Sequence, residues 1–511
     1  MAYKMFAAIY VGSSELVCSI YAINAKKSFS QVDTVSHIIE LGRDTYKSGA
    51  IKTDSLLKVC EVLNGFRRKM KEYQVTEYRA YATSAIREAE NRVLALEYIR
   101  RNTGLDVSVL SNSEQRYMIF KGLVAKQKEF HQVISKNTAI VDVGAGSVQV
   151  SLFDKNNLIV TENLHIGAVR VRDYLALAGN RTGNMDQVIT EYVDSDIETF
   201  RSMYLNDKEI KNIIAVGEVV DTIKHIIPDL TYSEKISREQ FEKMSRILVT
   251  KTPQQLSEKY GIPFERATLM QPALIIYQSF LNNCKAEEIY APNVDFCDGI
   301  VSSYMDEGKR VVFDHNFEDD IVATAQSMNK RYRCNRAHTD KVAELSLMLY
   351  DSMKKLHGMG KKERLQLQIA AILHECGNFI NLHDGALNSY YIVANTEIIG
   401  LSHKERMEIA NIIKYNLYYL PAMDAITKDL DGADYVTIAK LSAILRIANV
   451  LDKSHTQKIK DVSVSFKDDQ MVISVKTYED LSLESGLFEK RADFFEQVYG
   501  IRPVLRLKKG A

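Results

Sequence analysis

Two short stretches carry the residue types needed to hold phosphate. AIYVGSSELV (8–17) and IVDVGAGSVQV (140–150) are apolar runs that each break into a turn of small residues and then resume. Tyr10 corresponds to Asp142 and Gly12 to Gly144, a constant offset of 132 (142 minus 10, 144 minus 12). The pattern predicts two β-hairpins with small-residue tips. Such a tip exposes backbone N–H groups with no side chain in the way, which makes a concave nest for phosphate oxygens. Gly12, Ser13, Ser14, Gly144, Ala145, Gly146 and Ser147 are therefore candidate phosphate-binding residues. Two nests facing each other would form a cleft for a chain of phosphates. Repetition at a fixed offset distinguishes this pair from isolated structural turns.

Two further groups of polar residues stand out. Seven of the eleven histidines (315, 338, 357, 374, 383, 403 and 455) fall between residues 306 and 460, a density that suggests a metal or a polyanion. The run KRYRCNRAH (330–338) places four cations in nine residues, either as a solvated face or as an extension of a polyanion track.

The elements that must position these residues change character along the chain. Between and after the hairpins, short strands alternate with helical patterns, as in YRAYATSAIREAENR (78–92) and EYVDSDIETFRSMYL (191–205), which indicates α/β layering. A first lobe is expected over 1–125 and a second over 126–305. From 306 to 460 apolar residues recur at helical spacing (Val342, Leu345, Leu349, Met353, Leu356), predicting an all-α domain. From 461 the sequence DVSVSFKDDQMVISVKTY alternates like two antiparallel strands. A helix around RADFFEQVYG follows, making a small α+β C-terminal cap over 461–511.

Composition bounds the function. At 511 residues the chain is expected to form about two to four domains. Lys+Arg and Asp+Glu both number 66, so a polyanion must be held by a local patch, and bulk nucleic-acid coating is disfavoured. The six cysteines show no metal-finger spacing and read as reduced thiols, which fits the cytoplasm. No stretch approaches the length of an apolar membrane span.

With the hairpins placed, the sequence resembles the exopolyphosphatase and guanosine pentaphosphate phosphohydrolase (Ppx/GppA phosphatase) family along nearly its whole length. ATSAIREAEN (82–91), VLSNSEQRYMIFKGL (109–123), LHIGAVRV (164–171), IIAVGEVVDTI (213–223), ERATLMQPAL (265–274) and VDFCDGIV (294–301) occur in that family's order. The resemblance implies an α/β N-terminal half with the duplicated actin-like ATPase (ribonuclease H-like) fold, then an HD-like helical domain. It places Arg87 in the cleft as a fixed positive charge, and adds Gln149, Gly217 and Arg266 to the phosphate-binding positions. The HD-like resemblance rests on His338, on LHECGNFI (373–380) with His374 and Glu375, and on RIANVLDKSH (446–455) with Asn449 and Asp452. An HD metal site uses a distant His, an adjacent His-Asp pair and a late Asp. Here the pair reads His374-Glu375 and the late Asp reads Asn449, with Asp452 one turn on.

The family's acidic positions are where this chain departs. Tyr10 stands where the first hairpin usually carries Asp, the paired Glu reads Glu114-Gln115, and the second hairpin's closing Glu is Gln149. A glutamine cannot take a proton from water at neutral pH. The resemblance leaves two readings. In one, a Mg²⁺-dependent phosphohydrolase removes terminal phosphate from inorganic polyphosphate or guanosine pentaphosphate, with Glu114, Gln115 and Asp142 as its catalytic positions and Asp142 as metal ligand. In the other, a weakened or inactive member binds polyphosphate or guanosine penta- or tetraphosphate as a regulator. The helical half suggests a homodimer.

Overall fold

The alternation of apolar residues seen in both motifs builds the frame of each half. The structure is a computed structural model that describes residues 3–24, 28–127, 129–178, 185–205, 209–226, 234–308, 313, 315–426, 430–467 and 470–509. The chain divides into two compact units, Met1–Asn316 and Phe317–Ala511.

The first unit contains two mixed sheets. In the first, β1 (Lys4–Val11), β2 (Glu15–Ile23) and β3 (Phe29–Ile38) form an antiparallel meander, and β4 (Glu77–Ala82) and β5 (Ser108–Val109) add in parallel, in the order β3-β2-β1-β4-β5. In the second, β6 (Thr138–Val143), β7 (Val148–Asp154) and β8 (Asn157–Leu164) form the meander, and β9 (Asn212–Val216), β10 (Lys235–Ser237) and β11 (Glu288–Tyr290) complete the order β10-β11-β9-β6-β7-β8. The duplication extends to register. Val11 pairs with Leu16 and Val143 with Val148, so the offset of 132 holds on both strands of each hairpin (143 minus 11, 148 minus 16).

Side chains alternate faces along a strand, and this sorts the residues of β1 and β6. Ala7, Ile9 and Val11 enter the apolar core of the first sheet; Ala139, Val141 and Val143 enter that of the second. Phe6, Ala8 and Tyr10 point the other way and meet the helix Phe296–Glu307. Ile140 and Asp142 face the helix Asn112–Lys126. Tyr10 and Asp142 therefore occupy equivalent places on equivalent faces. The two helices cross at glycines: a Cβ on Gly299 would lie 2.4 Å from the Met118 carbonyl oxygen, and one on Gly122 would lie 3.0 Å from Gly299 N. The helix Phe296–Glu307, which follows the second sheet in the chain, thus returns to pack on β1.

The second unit is helical over Phe317–Arg331, Arg336–Ser352, Lys361–Leu373, Gly385–Asn395, His403–Tyr415 and Gly432–Leu451. The last of these is buried at almost every position from Ile438 to Leu451, as a helix apolar on all sides should be. A three-stranded sheet follows. β12 (Asp461–Lys467) and β13 (Gln470–Thr477) pair antiparallel as expected. After the helix Ser482–Tyr499, β14 (Arg502–Lys509) adds parallel to β13. This last strand was not anticipated from the sequence.

Candidate functional site

Each hairpin tip is closed by the same bond, Gly12 N to Glu15 O at 2.9 Å and Gly144 N to Ser147 O at 3.0 Å. Each is also backed by the chain that leaves the third strand of its sheet. Ile39 N donates to Ser14 O (3.0 Å) and Gly42 N to Ser13 O (2.8 Å). In the second sheet Ala168 N donates to Gly144 O (3.0 Å), Val169 N to Ala145 O (2.9 Å) and Arg170 Nε to Gly146 O (2.6 Å). The tip carbonyls are thereby satisfied from behind. The backbone N–H groups of Ser13, Ser14, Ala145 and Gly146 donate to no acceptor among the described residues. Unpaired donors grouped on a turn are what an anion nest requires.

The tips converge on Tyr46, from the helix Leu41–Ser48. Ser13 Oγ, Tyr46 Oη and Ser84 Oγ form a triangle with sides of 2.9 Å, and Ala85 N donates to Ser13 Oγ at 3.1 Å. From the other side, a Cβ on Gly146 would lie 2.0 Å from Tyr46 Oη and 3.0 Å from Ser84 Oγ. Gly146 thus permits the second tip to touch residues of the first lobe. Gly167 permits the backing contact: a Cβ there would sit 2.3 Å from Gly146 C and Ser147 N.

Three arginines that follow the second hairpin pair with glutamates placed around the first sheet. Arg170 pairs with Glu88, Arg172 with Glu40 at 2.6 Å, and Arg266 with Glu15 at 3.2 Å. Arg170 also lies over the Tyr46 ring, 4.1 Å from its centroid. Arg266, expected at the phosphates, is engaged with Glu15 in this ion pair. Arg87 is directed elsewhere: its guanidinium donates to Leu110 O at 2.8 Å and to Asn112 Oδ1, tying the helix Ser84–Arg87 to the start of Asn112–Lys126.

The carboxylates divide sharply. Glu114 is the N3 residue of a capping box: its Oε2 accepts from Ser111 N (2.9 Å) and Ser111 Oγ (2.7 Å), while Glu114 N donates to Ser111 Oγ (3.3 Å). That satisfies orphan amides at a helix start and engages one of the two carboxylate oxygens. The Gln115 and Gln149 amide oxygens are buried without a hydrogen-bond partner. Asp142 is different. It lines a cavity of about 10 Å³, the size of one water, with Arg116, Ile119, Phe120, Ile140, Gln149 and Ser151. Burial pushes its carboxyl up to about 7, against the opposing pull of the Arg116 charge. Gly217 has φ 126°, where a side chain would be strained, and a Cβ there would lie 3.0 Å from Val143 O and 3.7 Å from Asp142 Oδ1. Tyr10, the equivalent of Asp142, is a buried phenol whose ionisation is suppressed by burial, and its ring lies against Gly12.

For a hard cation the donor chemistry fits. The Asp142 carboxylate and the partnerless Gln149 amide oxygen line one cavity, and Mg²⁺ takes oxygen donors with waters completing its shell. In the helical unit His338, His374, Glu375 and Asp452 come together. Asn449 does not join them; it lines a separate cavity of about 160 Å³ with Asn416, Arg446 and Lys453.

Known proteins agree with this architecture. The description "Ppx/GppA phosphatase family" matches residues 19–307, and "Ppx/GppA phosphatase, domain III" matches residues 322–491. The chain belongs to the Ppx/GppA phosphatase family. Among its relatives, a guanosine-5'-triphosphate,3'-diphosphate pyrophosphatase of Vibrio atlanticus is 20% identical over 431 residues, covering 83% of each chain. One of the same name from Vibrio vulnificus is 19% identical over 482 residues, covering 92% of each. The fold is shared with an exopolyphosphatase from Cytophaga hutchinsonii (TM-score 0.52, 18% identity, 60% of this chain and 98% of that one). It is also shared with the Ppx/GppA family member of Aquifex aeolicus (TM-score 0.50, 17% identity, 62% and 100%). The actin-like, Ppx/GppA-type α/β frame is thus common to this chain and its structural neighbours. Sequence reasoning missed Tyr46, Ser84, Gly167, Arg170 and Arg172. Gly167 and Arg170 lie inside a segment that carried the resemblance, whereas nothing local marks Tyr46.

Proposed function

We propose that this Ppx/GppA family member grips the terminal phosphates of inorganic polyphosphate or guanosine pentaphosphate between its two hairpin tips and hydrolyses the terminal phosphoanhydride. The observation that carries this reading is the pair of tips in matched register, each with backbone N–H groups that donate to no acceptor among the described residues. Phosphate oxygens would accept from Ser13, Ser14, Ala145 and Gly146, with Ser147 and the Gly12 and Gly144 turns holding the tips' shape. Arg266 and Arg170 would supply charge to the following phosphates by exchanging their glutamate partners for ligand oxygens. Asp142 is the motif carboxyl left for the chemistry: it would help to orient the attacking water. Mg²⁺, held at Asp142 with the Gln149 oxygen nearby, would neutralise charge on the transferred group.

A second reading has its own support. Glu114 is engaged in a helix cap, and Gln115 and Gln149 are neutral. Each loss of negative charge lowers repulsion against a bound polyanion, so binding without turnover suits the same geometry. The test is phosphate release from polyphosphate and from guanosine pentaphosphate, with and without Mg²⁺, for wild type and Asp142→Asn. Mg²⁺-dependent release abolished in Asp142→Asn supports hydrolysis. Saturable binding with no release supports the regulator; neither binding nor release removes both readings.

The same proposal takes the chain as actin-like lobes over 1–125 and 126–305, an HD-like helical domain over 306–460 and a cap over 461–511, working as a homodimer. All six cysteines are free thiols, which supports placing it in the cytoplasm. No helix among the described residues is long and apolar enough to cross a membrane.

A further inference from the structure

The second unit gathers histidines in a way the phosphate site does not use. His338 sits in the first turn of Arg336–Ser352, His374 and Glu375 directly follow Lys361–Leu373, and His455 lies just beyond Gly432–Leu451. Three segments far apart in sequence thus bring these four residues together. His455 adopts φ 58°, a left-handed conformation uncommon for a residue with a side chain, and its ring stacks on His338 with centroids 3.6 Å apart.

The hydrogen bonds fix which nitrogen of each buried ring carries a proton. His338 Nδ1 lies 2.8 Å from Asp452 Oδ2, and an ionised carboxylate only accepts, so in the neutral ring Nδ1 donates and Nε2 keeps its lone pair. His374 Nδ1 lies 2.7 Å from the Ala371 carbonyl oxygen, with the same consequence. Both Nε2 atoms are buried and have no hydrogen-bond partner. Asp452 is itself held in place, since Gln457 N donates to Oδ1 at 2.8 Å and Gln457 Nε2 to Oδ2 at 3.1 Å. A carboxylate that orients a histidine from behind, leaving a bare Nε2 in front, is the arrangement that surrounds protein-bound transition metals.

In front of those lone pairs stand two more donors. Glu375 Oε1 is 3.9 Å from His338 Nε2 and 3.6 Å from His455 Nε2. The three ligand atoms all lie within 4.8 Å of one another. With metal–ligand bonds of about 2.0–2.1 Å, neighbouring donors of a tetrahedral site stand roughly 3.4 Å apart, so binding requires the donors to draw together and the stacked His338 and His455 rings to tilt until their lone pairs converge. We infer that His338, Glu375 and His455 bind one divalent first-row transition metal ion, with Asp452 as the positioning residue behind His338. The partnerless His374 Nε2 lies alongside, its ring centroid 5.3 Å from that of His338. Two imidazoles and a carboxylate select ions such as Zn²⁺ or Fe²⁺ over Mg²⁺. Asp452 thereby serves the metal indirectly, and His455 takes the place of a late aspartate.

The test uses the full chain, stripped with a chelator and titrated with Zn²⁺ against a chromophoric competitor. The expected result is about one high-affinity Zn²⁺ per chain. His455→Ala and Glu375→Gln should each weaken it at least tenfold while leaving the unfolding temperature of the metal-free protein unchanged. Asp452→Asn should weaken it by roughly 10- to 100-fold. Co²⁺ substitution gives a readout on the wild type alone, independent of how the variants fold: d–d bands without a thiolate charge-transfer band are expected. A stripped protein that takes up no Zn²⁺, uptake equal in His455→Ala and Glu375→Gln, or a cysteine-type Co²⁺ spectrum would each overturn the assignment.

Discussion

Gly167→Ala tests how the second hairpin tip is held. The added methyl would lie 2.3 Å from Gly146 C and Ser147 N and 2.4 Å from Ala145 O, all backbone atoms that cannot rotate away. Ordinary contact needs about 3.4 Å or more, so the tip and the chain behind it must separate by roughly 1 Å. Overpacking of this kind costs about 1–3 kcal/mol. The same shift lengthens the bonds from Ala168 N, Val169 N and Arg170 Nε to the three tip carbonyls, each worth about 1 kcal/mol net. The sum is about 2–4 kcal/mol, since the overpacking and the lost bonds partly describe one relaxation. Scanning calorimetry of the full chain should show the transition of the first unit lowered by several degrees, with polyphosphate no longer raising it. Gly65→Ala is the control: its nearest neighbour would be the flexible Arg68 side chain at 3.8 Å, in the middle of the helix Thr53–Glu72. It should be neutral or stabilise by up to about 1 kcal/mol. A Gly167→Ala protein that melts like wild type and still gains stability from polyphosphate would refute the backing role of residues 167–170.

Glu88→Gln releases Arg170 from its ion pair at the rim and should tighten polyphosphate binding about two- to fivefold at low ionic strength. Calorimetric titration should show that gain shrinking at high salt. Gln115→Glu returns a carboxylate to a motif position; it should raise Mg²⁺-dependent phosphate release by roughly tenfold or more, and an unchanged rate would mean that residue 115 does not face the reacting phosphorus. Asp221 sets a pH dependence of stability. Burial pushes its carboxyl from 3.8 up to about 7, opposed by the Lys224 charge and reinforced by Asp295. The folded state therefore holds a proton that the unfolded state has released, so this stabilisation is complete below about pH 4 and is lost as pH rises through 7. Asp221→Asn should remove about 2–3 kcal/mol of the stability change between pH 8 and pH 5, and equal slopes in denaturant-unfolding series of the two proteins would show that Asp221 is not protonated.

The duplication was legible because a hairpin's register is local: an apolar run, a small-residue turn and a second run fix both strands. The constant offset also matched Tyr10 to Asp142, which the strands then place on equivalent faces. Other features depend on chain segments meeting, and no local pattern records them. Tyr46 matters because the helix after β3 happens to lie where both tips arrive. The arginine–glutamate pairs join residues between 82 and 251 positions apart, and His455 reaches His338 across 117 positions (455 minus 338). The capping role of Glu114 went unread for a different reason. Ser111-x-x-Glu114 is a capping-box signature readable in the sequence itself, and the family's acidic pair drew attention to its charge instead of its helical position. The run after Gly500 carries Pro503, a residue that argues against a strand interior, which hid β14.

The most direct measurement is a structure of the protein with a short polyphosphate and Mg²⁺, refined well enough to place each phosphate oxygen. It should show oxygens within about 3 Å of the backbone nitrogens of Ser13, Ser14, Ala145 and Gly146, with Asp142 beside the terminal group. A chain of phosphates bound away from both turns, leaving those four amides bare, would contradict the account.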